Sequence, residues 1–237
     1  MRKQVWYLLI ALALVLSANF SLAQAPLGGG TNYLTCVNYN DDFGSSDMTL
    51  IVQLEVEGTI VVNEGHEVTY VLLRMDDNAL GDSLGLKWVS PNFDDSGWDG
   101  GISGVGYDDG DDNTEVTREN AAGARDGLAI YTRYRFDLAS SAGVGSVVLR
   151  VDYDDGYACW LNGTEIARSS NLDGKDLTWD ASLGGIANHG STELAKGTPN
   201  TARNYQEEIP VDFVSVSVAV KPAGKLATSW GKIKASY

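Results

Sequence analysis

The sequence predicts an all-β protein built as a β-sandwich or jelly roll. Short runs of alternating apolar and polar residues dominate most of the chain. Turn signals rich in glycine separate them, with 27 Gly among 237 residues. No long stretch carries a convincing helical period, and many short strands with few helices make a sandwich.

Taken from the start, Arg2 and Lys3 precede an unbroken apolar run from Leu8 to Leu16. That run is too short to span a bilayer comfortably. Ser21-Leu22-Ala23 then offers small residues for cleavage, so residues 1–23 are expected to be a secretory signal peptide. Residues 24–48 are expected to be a lead-in, opening on the linker-like Ala25-Pro26-Leu27-Gly28-Gly29-Gly30. The β domain is expected over 49–220. Strands are read at Thr49–Val56, Thr59–Val62, Glu67–Leu73, Ala129–Leu138 and Ser146–Tyr153, where Thr, Tyr, Val and Leu suit a pleated surface. Tyr157–Leu161 runs into Asn162-Gly163 and out through Thr164–Arg168. Asn-Gly between apolar runs signals a type I′ hairpin, which needs positive φ at both central residues. Val211–Val220 alternates valines with Asp212, Ser215 and Ser217, a half-buried strand. Residues 221–237 form a small basic tail with Lys221, Lys225, Lys232 and Lys234, read as a solvated tail, a last strand or an envelope-anchoring element.

Charge and composition exclude several classes. Lys and Arg number 17 against 32 Asp and Glu, a net charge of −15. Nucleic acid and anionic membrane surfaces would repel such a chain. Two His and two Cys exclude a Cys-rich zinc module and a disulfide-dense scaffold. Export permits a disulfide, and Cys36 and Cys159 either pair or sit as buried apolar residues. His66 and His189 lie near no Gly-x-Ser-x-Gly elbow, and Gly101-Ile102-Ser103-Gly104 fails that pattern. Gly104-Val105-Gly106 lacks the strand–helix context of a dinucleotide site. The chain is therefore expected to be non-enzymatic.

Six Asp-Asp pairs stand out, and turn formation accounts for most of them because a carboxylate bonds nearby backbone amides. Asp108-Asp109-Gly110-Asp111-Asp112-Asn113 is the one loop dense enough in oxygen ligands to suggest structural calcium, through Asp108, Asp109, Asp111 and Asp112. Its spacing is not that of an EF-hand. Aromatic faces stack on sugar rings, and five Trp lie beyond the signal segment. If Cys159 and Leu161 point inward, Trp160 points outward beside Asp154-Asp155 as a ligand platform; the opposite phase makes it core. Trp98, Asp154, Asp155, Tyr157 and Trp160 are the candidate ligand residues.

Particular runs resemble a known family. Trp88-Val89-Ser90-Pro91-Asn92-Phe93-Asp94-Asp95-Ser96-Gly97-Trp98, followed by Gly104-Val105-Gly106-Tyr107, resembles the opening of galactose-binding-like jelly-roll domains. Ile130-Tyr131-Thr132-Arg133-Tyr134-Arg135-Phe136 is similar to their Tyr-x-Arg-x-x-Phe strand. Asp154-Asp155-Gly156 with Leu161-Asn162-Gly163-Thr164-Glu165-Ile166 is similar to their Asp-Asp-Gly…Leu-Asn-Gly hairpin. The likeness covers about residues 66 to 172 and departs over 173–210, where Asn188-His189-Gly190 replaces the family's last strands. Structural roles are expected for the motifs, an Asx-type turn at Asp94-Asp95-Ser96 and the way into the hairpin at Asp154-Asp155-Gly156. The resemblance implies an exported bacterial module, secreted or in the cell envelope, that binds a glycan or cell-surface polysaccharide. The alternative is a structural or protein-adhesion module of the envelope.

Overall fold

The computed structural model describes residues 24–41, 48–74, 78–107, 112–117, 127–181 and 205–216. In chain order the first strands are β1 (Ala25–Gly28), β2 (Gly30–Tyr39), β3 (Met48–Val56), β4 (Thr59–Val62) and β5 (Glu67–Arg74). Helix α1 (Asn78–Leu84) and a 3₁₀ turn (Lys87–Val89) follow. Then come β6 (Asp99–Ile102), β7 (Val105–Tyr107), β8 (Thr114–Glu115), β9 (Gly127–Leu138), β10 (Val147–Asp154), β11 (Gly156–Leu161) and β12 (Thr164–Arg168). A second 3₁₀ turn (Ser170–Leu172), β13 (Glu207–Pro210) and β14 (Phe213–Val216) complete the described chain.

The strands make a β-sandwich. One six-stranded sheet runs β13-β10-β3-β7-β8, with β4 also on β3. The other runs β12-β11-β2-β9-β5-β6. A separate ribbon pairs β1 with β14 in parallel. Alternation along each strand sends one set of side chains between the sheets. Leu34, Cys36, Ile130 and Tyr134 of the second sheet there meet Leu50, Val52, Leu149 and Val151 of the first. Each is buried, and each such side chain contributes about 1.5–3 kcal/mol.

The outer face of the second sheet carries a second core. Val37 and Tyr39 of β2, Leu73 of β5, Tyr131 of β9 and Trp160 of β11 pack under Trp88, Leu84, Leu172 and Trp179. Helix α1, the two 3₁₀ turns and the segment to Ala181 supply this cover. The central strands of this sheet are thus buried on both faces.

Seven expected strands appear as β3, β4, β5, β9, β10, β11 and β12 with ends shifted by two residues at most. Asn162 and Gly163 both have positive φ, 49° and 88°, as the hairpin reading requires. Three corrections follow. Residues 24–48 are not a lead-in, because 25–28 and 30–39 form β1 and β2, and β2 sits in the middle of the second sheet. A strand covered on both sides loses the period-two signal that exposes a half-buried one. Of the expected strand at Val211–Val220, Val211 and Asp212 lie outside any strand and separate β13 from β14 at Phe213–Val216, while residues 217–220 lie outside the described residues. Seven further elements, α1, the two 3₁₀ turns, β6, β7, β8 and β13, were not expected at all; the strands among them have only two to four residues. The expected signal peptide, His189 and the Lys-rich tail lie outside the described residues. No helix among the described residues is long and apolar enough to cross a membrane.

Cys36 and Cys159 stand directly opposite on β2 and β11 and are joined in a disulfide, which settles the pairing the sequence left open.

Candidate functional site

The five expected ligand residues do not form one surface. Of the two phases the sequence left open for Trp160, the outward one is observed: Tyr157, Cys159 and Leu161 face the inter-sheet core, and Ala158 and Trp160 face outward. The outward face is itself covered, however, so Trp160 is only 3% exposed. Trp88 stands edge-on to Trp160 with centroids 5.2 Å apart and stacks on Tyr131 at 4.5 Å. Trp160 is a core residue and not an exposed platform. Core packing also claims Trp88 and Trp179.

Asp154 and Asp155 are buried at the start of the β11–β12 hairpin. The Asp155 carboxylate accepts from the Asp41 backbone N–H at 2.7 Å, and the Asp155 carbonyl accepts from Asn171 Nδ2 at 3.0 Å. Asn38 Nδ2 donates to the Asp154 carbonyl at 2.9 Å. These contacts pin the turn into the sandwich, the structural role expected of the motif. Tyr157 is buried in the inner core, and its hydroxyl donates to Glu207, as does that of Tyr153. Burial first, and the Glu207 carboxylate second, push both phenols up. Trp98 alone of the five is half-buried at the surface, 5.5 Å from Phe93 and 6.4 Å from Trp88.

Of the expected calcium ligands, Asp108, Asp109 and Asp111 lie outside the described residues. Asp112 is fully buried and accepts from Thr49 Oγ1 at 2.7 Å. No group of three or more His, Cys, Asp or Glu placed to hold a metal occurs among the described residues.

An open concavity among the described residues lies elsewhere, on the part of the second sheet's outer face that the second core does not cover. Outward positions alternate along each strand, and past the apolar half they turn polar: Tyr33 on β2, Glu67 and Thr69 on β5, Arg133 and Arg135 on β9. Cross-strand register sets Tyr33 beside Arg135, and Thr35, Arg133, Thr69 and Gly100 in one row. With the Gly100-Gly101 stretch of β6 as one wall, Tyr33, Glu67, Thr69, Arg133 and Arg135 line a groove of about 580 Å³, while Thr35 is fully buried beneath it.

Arg133 organises its floor. Its side chain is 1% exposed. Nε donates to Asp95 Oδ2 at 2.9 Å, and Nη1 donates to the carbonyls of Trp88 and of Ser90, the latter at 3.2 Å. Thr69 Oγ1 donates to the same Asp95 oxygen at 2.8 Å. The Tyr33 and Phe93 rings lie 4.8 and 5.3 Å from the guanidinium carbon, within cation–π range. Beside Asp95, Ser96 N–H donates to Asp94 Oδ1 at 3.1 Å, closing the expected Asx turn. The hydrogen bonds from the Ser96 side chain and backbone hold the Asp94 carboxyl below its ordinary value. Arg135, by contrast, is exposed, 3.5 Å from Asp137 and 3.2 Å from Thr31 Oγ1.

Sequence reasoning quoted Arg133, Arg135 and Asp95 inside motifs but gave none of them a place in a site. Tyr33 was missed because the strand that carries it was missed. The available signal was the outward phase of β9, where Arg133 and Arg135 follow Tyr131 at alternate positions.

Comparison with family models, with curated proteins and with solved structures finds no match.

Proposed function

We propose that the chain is an exported, non-catalytic module of galactose-binding-like type that binds carbohydrate in the groove of the second sheet. The observation that carries this reading is the open strip of outer face lined by Tyr33, Thr69 and Arg135, with Arg133 buried at its floor, beside a half covered by the second core. A sheet face left open, concave and polar next to a built second core is a place for a ligand. Tyr33 supplies the half-buried ring for stacking on a sugar, and Arg135, Thr69 and Glu67 supply hydrogen bonds to hydroxyls. The glycine wall leaves room for a chain of sugars to lie along the strand direction, since a Cβ at Gly100 would meet no neighbouring atom. Asp95 is committed to Arg133 and Thr69, which suits a binding role better than acid catalysis. Calcium at the 108–112 loop is a separable part of the same reading.

The second reading, a structural or adhesion module without glycan binding, draws support from the burial of Trp160, Asp154, Asp155 and Tyr157. A broad glycan array, run with calcium and with a chelator, separates the two. The expected outcome is reproducible binding that Tyr33→Ala weakens by at least about tenfold, the loss of one stacked ring. Silence from protein with an intact β-sheet circular dichroism spectrum rejects glycan binding. A signal that the chelator abolishes places calcium in the site.

A further inference from the structure

The described residues form a second concavity away from the groove, and no residue lines both. It has a volume of about 380 Å³ and lies between the end of α1 and the segment at 176–180. Its floor is apolar. Trp179 packs on Gly81, where a Cβ would stand 2.2 Å from the indole, so only glycine admits the ring. Leu86 and Leu177 line the same cavity. Leu86 is 54% exposed, and Leu80 on α1 is 40% exposed. Exposed apolar side chains gathered beside a cavity mark a place for a partner. The rim carries the exposed carboxylates of Asp82, Asp176 and Asp180. Asp82 Oδ1 accepts from Trp179 Nε1 at 3.1 Å, which ties the rim to the floor. No Lys, Arg or His among the described residues lines the cavity. Lys87 adjoins it in sequence, but its ammonium donates to the Ser83 carbonyl at 2.9 Å.

The chain carries a segment of matching character. No acidic residue occurs beyond β14, and Lys221, Lys225, Lys232 and Lys234 are interspersed with Leu226, Trp230 and Ile233. This segment lies outside the described residues. Its point of departure is on the right side of the fold. The β1 partner of β14 contacts β11 and β12, and the 176–180 segment follows β12 through the second 3₁₀ turn. From Val216 to Trp230 an extended chain spans roughly 45 Å, about the diameter of a domain of this size. We propose that the cavity holds this Lys-rich segment of its own chain, with the Trp230 ring against Leu86 and Leu177 and the flanking ammonium groups at the Asp82, Asp176 and Asp180 rim. Lysine stems lie along apolar surface while their charged ends stay in water, which suits an apolar floor with an acidic margin. Exposed ion pairs contribute little singly, so the apolar contact supplies the hold and charge sets the place. Tethering helps, because a segment joined to its own site is present at an effective concentration of about millimolar. The groove does not compete for it, since the exposed Arg135 guanidinium there repels lysine.

The test uses the purified full-length protein and a water-soluble carbodiimide, which joins an ammonium to a carboxylate only where the two are in contact. Protease digestion and mass spectrometry then identify the joined residues. The expected result is that Lys225, Lys232 or Lys234 couples to Asp82, Asp176 or Asp180 ahead of any other carboxylate, within one molecule. Trp230→Ala keeps every lysine and every carboxylate and is expected to lower that coupling by at least about fivefold, the loss of an aromatic anchor. Leu86→Gln, at an exposed position, is expected to lower it likewise while the β-sheet circular dichroism signal stays unchanged. Coupling spread evenly over the acidic surface overturns the proposal in favour of a solvated tail drawn by net charge alone. Coupling that neither variant lowers overturns it too, as does the absence of any coupling from the four lysines. An equal mixture of isotope-labelled and unlabelled protein decides the remaining case: joined peptides that combine the two labels overturn the intramolecular site in favour of a second copy.

Discussion

Arg133 ties three parts of the molecule together through one guanidinium. It carries β9 at its backbone, the Trp88–Ser90 carbonyls at Nη1 and the Asp95 turn at Nε. Phe-Asp-Asp-Ser and Tyr-x-Arg were separate motifs in the sequence; in the fold they are the two halves of one ion pair. Removing Asp95 strands a charge on a side chain that is 1% exposed. Asp95→Ala is therefore expected to destabilise the protein by about 3 kcal/mol. Denaturant unfolding followed by tryptophan fluorescence checks this, because Trp88 and Trp98 ride on the released segment. A loss below half that size would mean that the Trp88 and Ser90 carbonyls hold Arg133 without its partner.

Among the elements, β2 holds the most surprises. It lies between β11 and β9, its burial runs unbroken from Leu34 to Tyr39, and two of its residues there, Thr35 and Asn38, are polar. Polar residues at Thr35, Asn38 and the adjoining Asn40 disguise a buried strand as a loop. The reason for the two asparagines is tertiary: Asn38 Nδ2 bonds the carbonyls of Asp154 and Gly156, and Asn40 Nδ2 bonds the Tyr107 hydroxyl. The seven strands read correctly are those flanked by clear turns, with Asn162-Gly163 the plainest of them. The groove was not legible, since its residues come from β2, β5, β6 and β9 and converge only through register. The disulfide fastens β2 to β11 and closes a sequence separation of 123 residues. Long closed loops give the largest restriction of the unfolded chain, so the double change Cys36→Ala with Cys159→Ala is expected to cost about 2–5 kcal/mol. Thermal unfolding of the double variant against the parent measures it. An unchanged melting temperature would assign the strand pairing, and not the cross-link, as the source of stability.

At the scale of the whole molecule, the two cores bury phenols on both sides of the second sheet. Burial pushes Tyr134 up to about 12, and burial together with neighbouring groups raises Tyr39, Tyr131, Tyr153, Tyr157 and Tyr205. An unfolded tyrosine ionises near 10. Below that value the folded and unfolded chains hold these protons alike, and the raised groups contribute no penalty to the fold. Above it the unfolded chain loses protons that the folded chain keeps, so stability falls as pH rises from about 10 toward 12. The part of the tyrosinate absorbance that belongs to these six phenols is expected to rise in one cooperative step together with loss of the β-sheet circular dichroism signal. Gradual ionisation of all the tyrosines ahead of unfolding would contradict the burial of these six rings. The parallel pairing of β1 with β14 has a mechanical consequence. Ala25 lies beside Phe213 and Gly28 beside Val216, so the chain enters the ribbon at one end and leaves it at the other. Tension applied through the flanking segments pulls the two strands past each other lengthwise, and their hydrogen bonds must yield together and not one after another. A module held at one end and loaded at the other would meet its greatest resistance at this four-residue clasp. Beyond it, the Cys36–Cys159 cross-link would keep the segment between them from paying out.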